Sequence, residues 1–414
     1  MTRKQVHIYL FAPIPFSFIH QRPQSLAQAF LAQGIPVTYI EPCGFTEYLA
    51  GRKKGLLRLM VSSAWYWVLG VAALLIPSLR TVPSRASGHP DRNNALSIVS
   101  MPLVVPQNRF NFPFLEKVNA AIFRQALRQR IFKHMPTTEE SVAIVENPFF
   151  GNVLATDDFS QIYYDCLDEI ALFSGHAEVE RFRDYELMLV RKSRGIFVTA
   201  EKLEERMRTL RNDLPIVRVP NGVDFNWFQS RATETGTPDD IALLRKPIVG
   251  YVGVLRSWLD YDLVAGMARA MPDVSVVIVG PWDFEERIKH LRDIPNLYWF
   301  GRREYADVPR YINAFDVCII PFLPGAISET TNPVKIFEYF ALGKAVVSSP
   351  LHELQPYAKQ GLLRIASHRE EFVKALQESF VENDSVKTEE RKEVARQNSW
   401  TAHVQTMLYT IRQS

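Results

Sequence analysis

The feature that most constrains this chain is a repeated alternation of short apolar strands with helices. Its first unit is a strand at Val6–Phe11, a loop at Ala12–Arg22, a helix opened by Pro23 and ended by Gly34, and a strand at Val37–Ile40. A strand, a helix and a strand at this spacing fold as a parallel pair with a right-handed crossover. The same half continues with predicted strands at Ala95–Val99, Ser141–Val145, Ile162–Asp165, Gly195–Thr199 and Ile216–Val219, and with predicted helices at Phe114–His134, Phe182–Lys192 and Glu201–Leu210.

The alternation stops at Gln229–Asp240, which is rich in Thr, Pro, Gly and acidic residues, and then restarts. The second array has predicted strands at Pro247–Val254, Val274–Val279, Asn296–Phe300, Val317–Pro321 and Ala345–Ser348, and predicted helices at Tyr261–Ala270, Asp283–Leu291, Val308–Ala314 and Pro333–Leu342. Two such arrays predict an α/β protein with two doubly wound, Rossmann-like domains facing a cleft. We place the domains at residues 1–228 and 229–395, with a C-terminal helix at 396–414 that crosses back to the first domain. Ligands of such sheets bind at the carboxyl ends of the strands, so the cleft is the expected site.

Composition excludes several classes of protein. Apolar residues make up 47% and charged residues 22% of the 414 residues, as in globular domains and unlike disordered, collagenous or coiled-coil chains. The net charge of +3 gives no indication of a nucleic-acid partner. Cys43, Cys166 and Cys318 are too few and too far apart for a disulfide framework, which fits a reducing compartment. The N-terminus lacks the features of a signal peptide, so we expect a cytoplasmic location.

An uncharged apolar segment, Leu59–Leu79, is long enough to span a membrane. Three interpretations stay open: a transmembrane helix, a helix of the core or domain surface, and a segment that docks at the membrane interface. Trp and Tyr suit the headgroup boundary, and the lysines and arginines within 53–85 suit anionic lipid. A peripheral position on the inner face of the plasma membrane is therefore one expected location.

The most informative stretch for chemistry is Ser328–Tyr339. Asn332 suits the N-cap and Pro333 the first position of a helix, whose leading amides then form an anion site suited to a diphosphate. Lys335 adds a positive charge in the first turn, and Glu338 lies on the same face, where it can accept hydrogen bonds from a ribose diol. The alternative is an ordinary Lys–Glu pair on a solvated helix face.

In the first half, candidate residues follow two strands. Asp165 and Asp168 lie at the carboxyl end of one strand; we expect Asp168 to serve the chemistry and Asp165 the local structure or the acceptor. The alternative for each is a cap of the following turn. His20, Gln21 and Arg22 follow the first strand and are candidates for binding substrate, with His20 also a catalytic candidate or else a structural histidine. A cation at a helix start, such as Arg22, is unfavourable and so indicates an anionic partner.

The run from Thr331 to Val347 resembles the nucleotide-sugar signature of GT-B glycosyltransferases. It is most similar to the family 4-like bacterial enzymes of capsule, teichuronic acid and exopolysaccharide synthesis. Further matching pieces occur in the same order as in that family: Gln21–Gln24, Tyr164–Asp168, Val219–Asp224, Gly250–Gly253, Val279–Pro281 and Asn398–Trp400.

The resemblance implies that the C-terminal domain binds the nucleotide of the donor and the N-terminal domain binds the acceptor. It implies that Glu338 holds the ribose and Lys335 the diphosphate, within a donor site that also includes Thr331, Asn332, Pro333, Gly253 and Arg256. Two positions depart from the family pattern: Thr330 stands where many members have a first glutamate, and Val254 where many have an arginine, for which Arg256 is a candidate substitute.

The Asp260-Tyr261-Asp262 triplet is like the metal motif of the other large glycosyltransferase fold, but acids commonly cap a helix that begins there. No dinucleotide or Walker motif occurs. We therefore expect a metal-independent, cofactor-free and retaining transferase that moves a sugar from a UDP- or GDP-sugar to a lipid-linked or polysaccharide acceptor. The alternatives are a nucleotide-sugar epimerase on the same fold and a non-catalytic two-domain binding protein.

Overall fold

A computed structural model describes residues 5–42, 96–101, 113–169, 176–234, 236–282, 288–382 and 384–413. The segment Leu59–Leu79 and its basic flanks within 53–85 lie outside the described residues. Among the helices that are described, none combines the length and the apolar character needed to cross a membrane.

The chain packs as two compact units. The first comprises residues Met1–Val198, Glu204–Val217 and Met407–Ser414, and the second comprises Thr199–Leu203 and Arg218–Thr406. The main boundary between the two units therefore falls before residue 218, whereas the sequence-based boundary fell after residue 228. The reason is that Val223 and Phe228, which the sequence-based boundary assigned to the N-terminal domain, are buried in the core of the second unit.

The first unit contains a seven-stranded sheet in the order β3-β2-β1-β4-β5-β6-β7, in which the pairs from β3 to β6 are parallel. Its elements are β1 Gln5–Phe11, α1 Arg22–Ala32, β2 Val37–Pro42, β3 Leu96–Met101, α2 Pro113–Arg130, a 3-10 turn Phe132–His134, β4 Glu139–Val145, a 3-10 turn Pro148–Asn152, β5 Gln161–Cys166, α3 His176–Lys192, β6 Gly195–Val198, α4 Glu201–Leu210 and β7 Ile216–Arg218.

Local sequence explains how α1 begins and ends. Gln21 occupies the N-cap, and its backbone N–H donates to Oε1 of Gln24 at 3.2 Å. Pro23 is the second residue of the helix, one position later than the sequence suggested, because Arg22 already has helical geometry. Gly34 follows the C-cap with φ of 73°, a left-handed conformation that favours glycine, so the predicted helix end is confirmed.

The second unit contains a six-stranded parallel sheet in the order β10-β9-β8-β11-β12-β13. Its elements are α5 Phe225–Glu234, α6 Asp239–Ala242, β8 Ile248–Val252, α7 Tyr261–Ala270, β9 Ser275–Val279, a 3-10 turn Lys289–Leu291, β10 Leu297–Gly301, a 3-10 turn Tyr305–Asp307, α8 Val308–Ala314, β11 Val317–Ile320, α9 Ala326–Thr330, α10 Val334–Ala341, β12 Ala345–Ser348, a 3-10 turn His352–Leu354, α11 Gln355–Lys359, β13 Arg364–Ile365, α12 Arg369–Phe380 and α13 Ser385–Gln397. The last helix, α14 Trp400–Gln413, begins in the second unit, and its residues from Met407 onward belong to the first.

The central strands of this sheet are buried along their whole length, as expected where helices cover both faces of a parallel sheet. The predicted alternation of the second array is thereby confirmed, except that residues 283–287 of one predicted helix lie outside the described part. The stretch Gln229–Asp240, expected to be irregular, begins inside helix α5 because Phe228 and Ala232 bury one face of that helix.

Gly250 in β8 illustrates how tightly the second core is packed. A Cβ at this position would lie 2.2 Å from two ring carbons of Phe315, whose side chain is itself buried. We expect Gly250→Ala to lower the free energy of unfolding by about 1–3 kcal/mol through overpacking. Chemical denaturation of the whole chain measures the change.

The matched control is Gly266→Ala in helix α7, where the nearest obstacle is Cδ of the exposed Arg369 side chain at 2.9 Å. That side chain can move aside, and alanine gains up to about 1 kcal/mol of helix propensity over glycine. Equal destabilisation by both substitutions would contradict the packing argument.

Candidate functional site

Helix α10 begins at Val334, with Pro333 in the N-cap position, so the prediction that Asn332 caps the helix is wrong. The Asn332 side chain instead contacts residues that are distant in sequence. Its Oδ1 accepts from the backbone N–H of Asn221 at 3.1 Å, and its Nδ2 lies 3.4 Å from Oε2 of Glu353. The Asn332 carbonyl also accepts from Nδ2 of Asn221 at 2.7 Å. These contacts fix the chain just before the helix starts.

Helix α10 is also attached to the carboxyl end of β8. The backbone N–H of Val252 donates to the hydroxyl of Tyr339 at 3.0 Å. At the next residue, a Cβ on Gly253 would lie 2.6 Å from the Tyr251 hydroxyl and 3.1 Å from Cε of Lys335. A Cβ on Gly280 would lie 1.8 Å from the Gly253 carbonyl oxygen. Glycine is therefore required where two strand ends and the first turn of the helix meet.

Lys335 and Glu338 are brought together in this place. Nζ of Lys335 lies 2.9 Å from Oε2 of Glu338. The lysine side chain is 24% exposed and the glutamate side chain only 3%, so the cation stands at the surface with the carboxylate beneath it. Burial, together with the nearby Glu338 charge, raises the pKa of Tyr305 well above its usual value. Although the pair has i, i+3 spacing, the buried glutamate does not fit the alternative of a solvated helix face.

The remaining donor candidates border this arrangement. Thr331 is the C-cap of α9, and Pro333 is buried. Arg256 is half-buried in the loop after β8, and its carbonyl accepts from the hydroxyl of Tyr261 at 3.1 Å. Asp260 caps helix α7, since its Oδ1 accepts from the N–H of Leu263 at 2.8 Å, and the capping interpretation is confirmed. Over the described ranges, no group of three His, Cys, Asp or Glu residues lies close enough to hold a metal ion.

In the first unit, the structure pairs two of the predicted acceptor residues with each other. Nε and Nη2 of Arg22 donate to Oδ2 and Oδ1 of Asp165, each at 2.9 Å. The side chains are 4% and 0% exposed. The anionic partner that Arg22 indicated is thus Asp165 of the same chain. A buried bidentate pair of this kind fixes the start of α1 on β5.

Other predicted residues of this unit are more accessible. Gln21 is exposed, and His20 is half-buried with its Nε2 2.9 Å from Oγ of Ser25. Asp168 is half-buried, two residues beyond β5, and its carbonyl lies 3.9 Å from Sγ of Cys166. Asp168 therefore differs from Asp165 in being open to solvent, and its catalytic role stays a prediction.

Sequence reasoning missed Glu146, which directly follows β4. Its N–H donates to the Phe11 carbonyl at 3.1 Å, which places it at the carboxyl edge beside β1. The residue is 2% exposed, and neither Oε1 nor Oε2 has a hydrogen-bond partner in the described structure. Burial, and next the charge of Asp165, raise the pKa of Glu146 well above its usual value, while Arg22 opposes the shift. An acid placed straight after the apolar run Ser141–Val145 was the signal that could have found it.

The raised pKa of Glu146 predicts how stability depends on pH. The native state keeps a proton that the unfolded state releases above about pH 4.5, so wild-type stability falls as pH rises until the native pKa is reached. The groups facing Glu146 are Asp165 on β5, Arg22 on α1 and Tyr39 on β2. Glu146→Gln abolishes the titration. We expect its free energy of unfolding to gain on wild type by up to about 1.4 kcal/mol per pH unit as pH rises above about 5, until the native pKa of Glu146 is reached.

Denaturant titrations across that pH range measure the difference. Glu180→Gln, at an exposed position of α3, is the control for removing one carboxyl. A difference between Glu146→Gln and wild type that is independent of pH would mean that Glu146 is ionised in the native state.

Comparison with known proteins gives the class of enzyme. The model of the family described as glycosyl transferases group 1 matches residues 246–380. A candidate teichuronic acid biosynthesis glycosyltransferase of Bacillus subtilis strain 168, TuaH, is 25% identical over 280 residues, which cover 64% of this chain and 70% of that protein.

Solved structures share the fold. Sucrose-phosphate synthase of Thermosynechococcus elongatus superposes with a TM-score of 0.67 at 15% identity and covers 99% of each chain. HepE of Anabaena, solved with UDP and glucose, has a TM-score of 0.62 at 12% identity and covers 99% of this chain and 100% of that one. The predicted fold class is confirmed, and the chain is a glycosyltransferase of the GT-B fold whose residues 246–380 carry the group 1 domain.

Proposed function

We propose that this glycosyltransferase moves a sugar from a UDP- or GDP-sugar to a lipid-linked or polysaccharide acceptor of bacterial cell-surface polysaccharide synthesis. The observation that carries the donor assignment is the Lys335–Glu338 pair at the start of α10, with the cation at the surface and the carboxylate buried below it. A diphosphate pairs with the lysine and with the leading amides of the helix. The carboxylate one turn deeper accepts two hydrogen bonds from the ribose diol.

We further propose that the reaction proceeds with retention and without a metal ion. The bond between the anomeric carbon and the diphosphate breaks, and its electron pair leaves with the diphosphate. Lys335 and the helix amides stabilise the charge that develops there. The acceptor oxygen bonds to the anomeric carbon on the same face, and its proton passes to the departing phosphate oxygen. In this scheme Asp168 orients the acceptor hydroxyl.

The acceptor assignment is supported by the TuaH relative, whose name places it in teichuronic acid biosynthesis. The donor assignment is supported by HepE, whose structures hold UDP, UDP-glucose or UDP with glucose. A nucleotide-sugar epimerase and a non-catalytic binding protein are less well supported, because the group 1 match and TuaH both concern glycosyltransferases. We propose that the enzyme works at the inner face of the plasma membrane, where lipid-linked acceptors are accessible from the cytoplasm.

The two residues of the pair have separable roles, which calorimetry can distinguish. Glu338→Ala should weaken binding of UDP and of uridine alike, by about 10- to 100-fold, because both ligands carry the ribose. Lys335→Met should weaken UDP by a similar factor but leave uridine nearly unchanged, since uridine lacks the diphosphate. The same affinities are measured for GDP and guanosine, which differ from each other in the diphosphate in the same way.

The control is the surface pair Lys392 and Glu389 of α13, which has i, i+3 spacing and an Nζ to Oε1 distance of 2.8 Å. Lys392→Met and Glu389→Ala should leave nucleotide affinity unchanged. Unaltered UDP and GDP affinities in both Glu338→Ala and Lys335→Met would remove the donor assignment.

Asp168 is tested by turnover. Thermal stabilisation by a panel of nucleotide sugars identifies the donor, and release of the nucleoside diphosphate in the presence of acceptor gives the rate. Asp168→Asn should lower turnover by about tenfold or more, because a neutral amide oxygen accepts a weaker hydrogen bond from the acceptor hydroxyl than a carboxylate does and orients it less firmly, while donor affinity stays the same. Asp157→Asn, at an exposed position before β5, should leave turnover unchanged. Full turnover in Asp168→Asn would refute the role.

A further inference from the structure

Glu146 occupies a central position at the carboxyl edge of the first sheet. Strand β4 lies between β1 and β5, and Val145, its last residue, is in register with Phe11 and Tyr164. Glu146 is the next residue along, so it stands beside Asp165 on the adjacent strand. Side chains in register on parallel neighbours point to the same face of the sheet, and ligands of open parallel sheets bind at this edge.

The polar groups around Glu146 are already bonded elsewhere. Both oxygens of Asp165 accept from the guanidinium of Arg22 at 2.9 Å. The Tyr39 hydroxyl donates to the Ile14 carbonyl at 3.0 Å. Neither carboxyl oxygen of Glu146 receives a hydrogen bond from the described residues, although only 2% of the residue is exposed. Buried polar groups in native proteins almost always have a partner, so this one indicates a group other than the described residues of the chain.

The charge of the surroundings decides what kind of group fits. Arg22 and Asp165 pair with each other, so among the described residues a second buried carboxylate would have no opposite charge of its own, and burial raises the pKa of Glu146. A protonated carboxyl offers one O–H donor and one carbonyl acceptor side by side. A hydroxyl group likewise donates once and accepts, so it can satisfy both atoms, whereas an anion or a second carboxylate cannot.

We propose that Glu146 is a ligand-binding residue of the first unit, whose carboxyl exchanges hydrogen bonds with a sugar hydroxyl. The inference rests on the proposed function, since the substrates of a glycosyltransferase are polyols. The hydroxyl belongs either to the sugar of the donor or to the acceptor, and the experiment distinguishes these two sources.

The test uses the full-length enzyme and the variants Glu146→Leu and Glu146→Gln. Affinities for UDP, GDP and their sugars are measured by calorimetry, and the acceptor KM is measured with a panel of methyl glycosides. Glu146→Leu should leave free UDP and GDP affinity within about twofold. It should weaken the nucleotide sugar by about tenfold if the donor supplies the hydroxyl, or raise the acceptor KM by about tenfold if the acceptor does. Glu146→Gln, which still donates and accepts, should retain most of the wild-type behaviour.

The control is Val142→Ala, which loosens the core of the same strand at a fully buried position without removing a polar group. It should lower stability but leave every ligand preference unchanged. An infrared difference spectrum gives a readout that a structural role would not move: adding the sugar ligand should shift the carbonyl band of a protonated carboxyl in wild type, and the band should be absent in Glu146→Gln.

Two results would overturn the inference. One is a Glu146→Leu enzyme whose nucleotide-sugar affinity and acceptor KM both equal those of wild type. The other is a crystal structure of the enzyme with a bound sugar ligand in which only an ordered water contacts Glu146. Failure of the proposed function gives a different pattern, because the wild-type enzyme would then bind neither UDP nor GDP. Direct binding of methyl glycosides, followed by NMR in wild type and Glu146→Leu, would still decide the role of Glu146.

Discussion

Desolvation of charge at the carboxyl edges of the two parallel sheets governs which side chains can be charged there. These edges are lined by buried strands, so an ionised group is stable only beside an opposite charge. Arg22 and Asp165 satisfy this condition in the first unit, and Lys335 and Glu338 satisfy it in the second. Glu146 has no such partner of its own among the described residues, and its burial raises its pKa well above the usual value. The ionisation states of the candidate residues therefore follow from their pairing.

The two ion pairs differ in what they leave for a ligand. Arg22 and Asp165 are both almost fully buried, so their charges are used within the fold and hold α1 on β5. Lys335 is partly exposed above a buried Glu338, so its charge faces solvent while the carboxylate lies beneath it, as the proposed donor site requires. Because Tyr339 is bonded to Val252 and Gly253 permits close approach, α10 presents both groups from a fixed position. Exposure thus separates a structural ion pair from one suited to binding.

Sequence alone predicted the α/β class, most strands, the end of α1 and the cap at Asp260, because these depend on neighbours a few residues apart. It failed where a partner lies far along the chain. Asn332 has the right side chain for an N-cap, but Asn221 and Glu353 bind it instead. Arg22 indicated an anion, and only the sheet topology shows that the anion is Asp165, which is 143 residues away. Glu146 was missed because its burial without a partner depends on how strands β1, β4 and β5 lie side by side, which the sequence does not show.

Asp165, Glu146 and Asp168 all lie at one edge of the first sheet, but they differ in what they can do for an acceptor. Both oxygens of Asp165 accept hydrogen bonds from the guanidinium of Arg22, so this carboxylate is already used within the fold. Burial and the charge of Asp165 raise the pKa of Glu146 well above its usual value, which favours a carboxyl that shares a hydrogen bond over one that acts as a base. Asp168 alone among them is partly exposed to solvent. Burial and pairing therefore distinguish Asp165 and Glu146 from Asp168, although sequence alone presents all three as acids at or just after the end of a strand.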